Sequence, residues 1–151
     1  MSILFINGSP NKNGNTAKLA AKLLTGKEYE TLELVDYKLY AYGQKFEDDQ
    51  FSEILEKMKE ADTIVIGSPV YWHNMCRSSE KPSGPFLRPC ELRRIVRKKI
   101  RFYIPGAAPE LWMLEKAEYT MSRFAKMYGM EYAGMVTNER EAEKVSEKLG
   151  R

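Results

Sequence analysis

Histidine is nearly missing from this chain: of 151 residues, His73 alone carries an imidazole. One histidine assembles no metal site, and on sequence alone His73 reads better as a loop-surface residue than as a proton donor. Cysteine is almost as scarce. Cys76 and Cys90 lack the close CxxC spacing of zinc and redox motifs, so both are expected to be free thiols. No apolar run approaches the ~20 residues that cross a bilayer, so no membrane partner is expected. Residues Met1–Ile6 show neither a basic leader nor a small-residue cleavage site; they read as a buried strand, which implies the cytoplasm. A Walker loop and a GxGxxG fingerprint are also absent, which disfavours nucleoside triphosphate hydrolysis.

What is present is the composition of one ordinary globular domain over 1–151, with 43% hydrophobic and 30% charged residues. The net charge of +3 is unevenly spread: Arg88, Arg93, Arg94, Arg97, Lys98, Lys99 and Arg101 crowd together. Such a run is usually solvated surface. Nucleic acid stays a weak alternative, because electrostatics alone supports non-specific binding.

Short apolar runs alternate with segments of helical period, the pattern of a doubly wound α/β domain with a parallel sheet and helices on both faces. Strands are expected at Ile3–Asn7, Tyr29–Val35, Thr63–Gly67, Arg101–Ile104 and Met130–Val136. Between them, a helix over Thr16–Thr25 places Ala17, Ala20, Ala21 and Leu24 on one face and stops at Gly26. A second begins near Asp48 or Asp49, with Phe51, Ile54, Leu55 and Met58 inward. Pro109 opens a long helix that buries Leu111, Leu114, Ala117, Met121, Phe124, Ala125 and Tyr128 before Gly129. Asn138 with Glu141 forms a capping box for the last helix. Between strands three and four, the basic segment 76–98 contains Pro82, Pro85 and Pro89, each costing ~3 kcal/mol inside a helix. A crossover helix resumes only near Glu91–Lys98.

Three loops follow strands at the end where such sheets bind ligands. The first, Gly8–Thr16 (GSPNKNGNT), is rich in residues whose amides and hydroxyls can converge on an anion at a helix N-terminus; the alternative is a simple polar turn. The second, Ser68–Met75 (SPVYWHNM), places Tyr71 and Trp72 where polar residues are normal. They either meet a planar ligand, with Asn74 at its polar edge, or fold back over the sheet. The third, Pro105–Pro109, has small residues that admit a flat group, and by itself is merely a turn.

Taken together, these loops resemble those of the flavodoxin-like NAD(P)H-dependent FMN reductase and quinone reductase family, which carries a GSP-x-x-x-GNT phosphate loop and an SPVYW-x-NM flavin loop. That resemblance implies a five-stranded parallel sheet in the order 2-1-3-4-5. It implies flavin mononucleotide (FMN), its phosphate held by Ser9, Asn15 and Thr16 in a loop that includes Asn11 and Gly14. Pro69, Val70, Tyr71, Trp72 and Asn74 would line the isoalloxazine, and Gly106 and Ala107 would close its other side. The activity implied passes hydride from NAD(P)H through the flavin to a quinone, nitro compound or similar small acceptor. The cofactor carries that chemistry, so no catalytic acid, base or nucleophile is required and His73 is the one weak candidate. A homodimer is also implied.

The resemblance covers Met1–Met75 and Lys99–Leu149 and fails between them. Segment 76–98 is therefore either a diverged loop or the product of a locally shifted reading frame. Some relatives hold an iron–sulfur centre after strand two, but Asp36–Gln50 contains no cysteine, so none forms there. Two rival functions keep the same fold. One is a flavodoxin-type electron carrier, opposed by a pI near 8.8. The other is an FMN-free interaction domain, should the altered segment have cost the protein its flavin pocket.

Overall fold

The structure, a computed structural model, describes residues 1–40, 44–71, 74–75, 99–103 and 110–147. Strand β1 (Ile3–Asn7) leads into α1 (Asn15–Leu23), then β2 (Glu30–Glu33) and a 3-10 turn at Leu34–Asp36. Helix α2 (Phe51–Glu60) precedes β3 (Thr63–Gly67), and two short strands follow, β4 (Val70–Tyr71) and β5 (Asn74–Met75). Strand β6 (Lys99–Tyr103), helix α3 (Leu111–Met127), strand β7 (Glu131–Val136) and helix α4 (Glu139–Ser146) complete the described chain.

Five strands form one parallel sheet in the spatial order β2-β1-β3-β6-β7. Strands β1 and β3 are buried at every position, as expected when both faces of a parallel sheet are covered. Alternation sorts their side chains into two cores. Leu4, Ile6, Ile64 and Ile66 pack with Phe51, Ile54 and Met58 of α2 and with Met121, Phe124 and Ala125 of α3. On the opposite face, Ile3, Phe5 and Val65 pack with Leu19, Ala20 and Leu23 of α1 and with Ala142 of α4.

Several boundaries and faces differ from the sequence expectation. Helix α1 buries Thr16, Leu19, Ala20 and Leu23, with Leu24 just beyond its end, whereas Ala21 is exposed. The alanine stripe marked helix propensity, but the larger leucines decide which face turns inward, because burial scales with apolar area. Leu111 is 71% exposed rather than core. Strand β2 is shorter than Tyr29–Val35, its last residues winding into the 3-10 turn. Strand β6 begins at Lys99, paired in register with Thr63, two residues before its expected start; Ile104 lies outside the described residues.

The termini carry local signals. Gly26 (φ +74°) follows α1 and Gly129 (φ +67°) follows α3, left-handed conformations that a side chain disfavours. Asp49 accepts the Phe51 N–H at 3.1 Å ahead of α2. At α4 the capping box is displaced by one residue. Asn138 Oδ1 accepts the Glu141 N–H at 3.0 Å, while the Glu141 carboxylate accepts the Thr137 N–H at 2.8 Å instead of that of Asn138.

Candidate functional site

Glu33, Asn7, Gly67, Tyr103 and Val136 lie side by side in one transverse row at the carboxyl end of the sheet. The winding reverses between β1 and β3, the point at which sheets of this kind bind their ligands. The Gly8 N–H donates to the Gly67 carbonyl at 2.8 Å and ties the two loops together. Close approach is built in at Gly67. A Cβ there would stand 2.6 Å from Thr16 Cγ2 and 2.9 Å from Phe5 Cε2, so glycine lets the first turn of α1 sit directly on the end of β3.

The loop after β1 is held by a ladder of side chains that each accept a backbone N–H two residues on. Asn7 Oδ1 takes that of Ser9 at 3.0 Å, Ser9 Oγ that of Asn11 at 3.1 Å, and Asn11 Oδ1 that of Asn13 at 3.1 Å. The Gly14 N–H closes the turn on the Asn11 carbonyl at 3.1 Å. Ser9 and Thr16 are buried, whereas Asn11 and Asn15 are exposed.

This arrangement leaves donors free. The N-cap of helix α1 is Gly14, which has no side chain to cap it, and the first bond of the helix runs from the Lys18 N–H to the Gly14 carbonyl. Among the described residues, the N–H groups of Asn15, Thr16 and Ala17 and the Thr16 hydroxyl therefore have no acceptor. The Ser9 hydroxyl, already accepting from Asn11, retains its own proton to donate. Uncapped amides at the positive end of a helix suit an anion with several acceptor oxygens, as a phosphate has.

Charge around the loop is balanced rather than cationic. Lys12 Nζ pairs with Asp36 Oδ2 at 2.6 Å, both side chains about half exposed. Glu33 accepts from Asn7 Nδ2 at 2.8 Å. Burial pushes the Glu33 carboxyl above the usual glutamate value; the Asn7 bond and the Lys12 charge oppose this, and Asp36 adds to it. Among the described residues, this end of α1 offers an anion neutral dipoles rather than an arginine or lysine clamp.

The second loop leaves β3 through Ser68 and Pro69, both buried. Strands β4 and β5 then pair antiparallel, Val70 opposite Met75 and Tyr71 opposite Asn74. The start of the second loop stands next to the first: the Ser68 Cα is 3.9 Å from where a Cβ on Gly8 would lie. Trp72, His73, Gly106 and Ala107 lie outside the described residues, as does segment 76–98. Among the described residues no cluster of His, Cys, Asp or Glu is placed to hold a metal, and no helix is long and apolar enough to cross a membrane.

Residues 1–76 match the family model described as NADPH-dependent FMN reductase. The chain belongs to this family. The match to the FMN reductase family ends where the proline-rich segment begins. An iron-sulfur flavoprotein of Archaeoglobus fulgidus is 38% identical over 89 residues, covering 50% of this chain and 43% of that protein. The chain covers only 43–46% of the curated relatives it matches. Solved structures extend the likeness in fold across nearly the whole chain. The Trp repressor binding protein of Bacillus subtilis superposes with a TM-score of 0.72 at 17% identity, over 99% of this chain and 97% of that one. An FMN-dependent NADH-azoreductase of Bacillus anthracis, solved with FMN, gives 0.63 at 16% identity over 99% of both. The fold is flavodoxin-like.

The fold adds side chains that the sequence alone does not single out. Asn7, Glu33, Asp36 and Gly67 support the first loop from outside it, and two of them leave a sequence signal: a polar Asn ending the apolar run ILFI and a Gly ending TIVI are both anomalies in strands covered on two faces.

Proposed function

We propose that this chain is the FMN-binding domain of a cytoplasmic oxidoreductase that takes hydride from NAD(P)H and delivers reducing equivalents to a quinone, nitro compound or similar small acceptor. The observation that carries this reading is the set of unpaired donors at the start of α1, with no side-chain cap, packed against Gly67 at the end of β3. In this reading Ser9, Asn15 and Thr16 hold the phosphate, and Asn11 and Gly14 shape its loop. Pro69, Val70, Tyr71, Trp72 and Asn74 line the ring system, with Gly106 and Ala107 across from them.

The flavin, when bound, supplies the hydride chemistry. The chain's own part is to bind and orient. Amide dipoles of α1 stabilise the phosphate charge, and the Gly8–Gly67 bond ties the phosphate loop to the end of β3. No side chain here is required to move a proton, and His73 is assigned no catalytic role. The family resemblance supports a homodimer with the flavin near the subunit boundary.

The test is the visible spectrum of the purified protein before and after titration with FMN, followed by NADH and NADPH oxidation with a quinone acceptor. Saturable binding is expected, and at 100 times Kd it stabilises the fold by ~2.7 kcal/mol, about 5–10 °C in melting temperature for a domain of this size. A folded protein with no change in spectrum or melting temperature refutes the binding claim; one that turns yellow but oxidises neither nucleotide refutes the enzymatic claim alone.

A further inference from the structure

The ladder that shapes the first loop does not begin in the loop. Its first rung is Asn7, the last residue of β1, whose side chain is completely buried. The Ser9 N–H can only donate, so the atom of Asn7 facing it at 3.0 Å must be the carbonyl oxygen. That fixes the amide orientation and turns Nδ2 toward Glu33, whose carboxylate oxygen is 2.8 Å away. Neither end of the Asn7 amide is free to swap, because each swap would set donor against donor or acceptor against acceptor. Glu33 is itself placed by β2, in register with Asn7. The charged groups around it are Lys12 and Asp36, which pair with each other at 2.6 Å.

We propose that Asn7 and Glu33 are positioning residues for the phosphate of FMN: the Glu33 carboxylate orients the Asn7 amide, and the Asn7 amide sets the Ser9 rung from which the rest of the anion loop is built. This rests on the flavin-binding reading above. Neither side chain touches the ligand. Their effect is to fix Ser9 Oγ and the entry into α1 before binding, so that ordering the loop is not charged against affinity. The effect therefore falls on the phosphate-dependent part of binding and not on the ring-dependent part.

The experiment measures Kd for riboflavin 5′-phosphate and for riboflavin by quenching of flavin fluorescence, with a urea midpoint for every variant. N7D replaces the donor facing Glu33 by a second carboxylate oxygen. E33L removes the acceptor while leaving Asn7 in place, and carries the test should N7D fail to fold. The exchange N7D/E33Q swaps amide and carboxylate: the introduced amide can donate to the introduced carboxylate, which still accepts the Ser9 N–H.

N7D and E33L are each expected to weaken riboflavin 5′-phosphate binding by about tenfold or more while changing riboflavin binding less than about threefold, and N7D/E33Q to return within about threefold of the parent. Equal losses for the two ligands, no loss in either single variant, or an exchange no better than N7D would each overturn the proposal, since a merely structural pair moves both ligands alike. A parent protein that binds neither ligand overturns the flavin reading and this inference with it. A parent that binds FMN normally, with variants behaving as in the overturning cases, defeats this inference alone.

Discussion

Gly67→Ala tests the contact on which the site geometry depends. The added methyl would lie 2.6 Å from Thr16 Cγ2, 2.9 Å from Phe5 Cε2 and 3.3 Å from Phe5 Cζ. Both neighbours are about 2% exposed, so neither side chain has open space to retreat into and α1 must shift away from β3. Overpacking of this kind costs ~1–3 kcal/mol. With a urea m-value of about 2 kcal/mol/M, the unfolding midpoint should fall by roughly 0.5–1.5 M at unchanged slope. Thr16→Ser removes the closer of the two obstacles and keeps the hydroxyl, while Phe5 remains. The double variant should therefore recover about half of the loss, a coupling expected only of residues in contact. Circular dichroism through a urea titration reads all three variants. A G67A midpoint within about 0.25 M of the parent, or a double variant no more stable than G67A, would show that α1 does not rest on the end of β3 in solution.

Asn138→Ala removes the acceptor of the Glu141 N–H and should destabilise by ~1 kcal/mol, read as a lower urea midpoint, whereas Asn138→Asp should not. Glu33→Gln tests linkage. The Glu33 carboxyl is raised by burial, with Asp36 adding to it and Asn7 and Lys12 opposing, so its contribution to stability is fullest below the unfolded glutamate value and is lost as pH rises through the folded one. E33Q, whose amide oxygen can still accept from Asn7, should match the parent near pH 4 and gain on it toward neutrality; a gain that grows on acidification would contradict the assignment.

Legibility in the sequence followed the size of the physical signal. Strands β1 and β3 stand out because both faces of each are covered, which makes ILFI and TIVI unbroken apolar runs. Strand β6 is harder to read, since Lys99 and Arg101 interrupt its pattern and its start is fixed by pairing with Thr63. On α1, Ala20 and Leu24 are buried as expected, but Ala17 and Ala21 report propensity whereas Leu19 and Leu23 report burial. At the site, Ser9, Asn15 and Thr16 are legible as residue types suited to an anion. Their support is not, because the Asn7–Glu33 bond joins residues 26 apart that only the pairing of β1 with β2 brings together. Gly67 is equally opaque: its importance lies in an atom it lacks, and that shows only when Thr16 is in place.

The two outer rims of the sheet close the account of how this chain stays itself. On one side β2 is four residues long, and Glu30 on it is ion-paired with Lys57. On the other, β7 departs from regular pairing where Ile100 and Phe102 meet Tyr132 and Met135, with Gly134 at φ +102° in the bulge. A short charged ribbon and a kinked one are both poor templates for recruiting a stranger's backbone. Growth by strand addition, the route to fibrils, is thereby discouraged at each border.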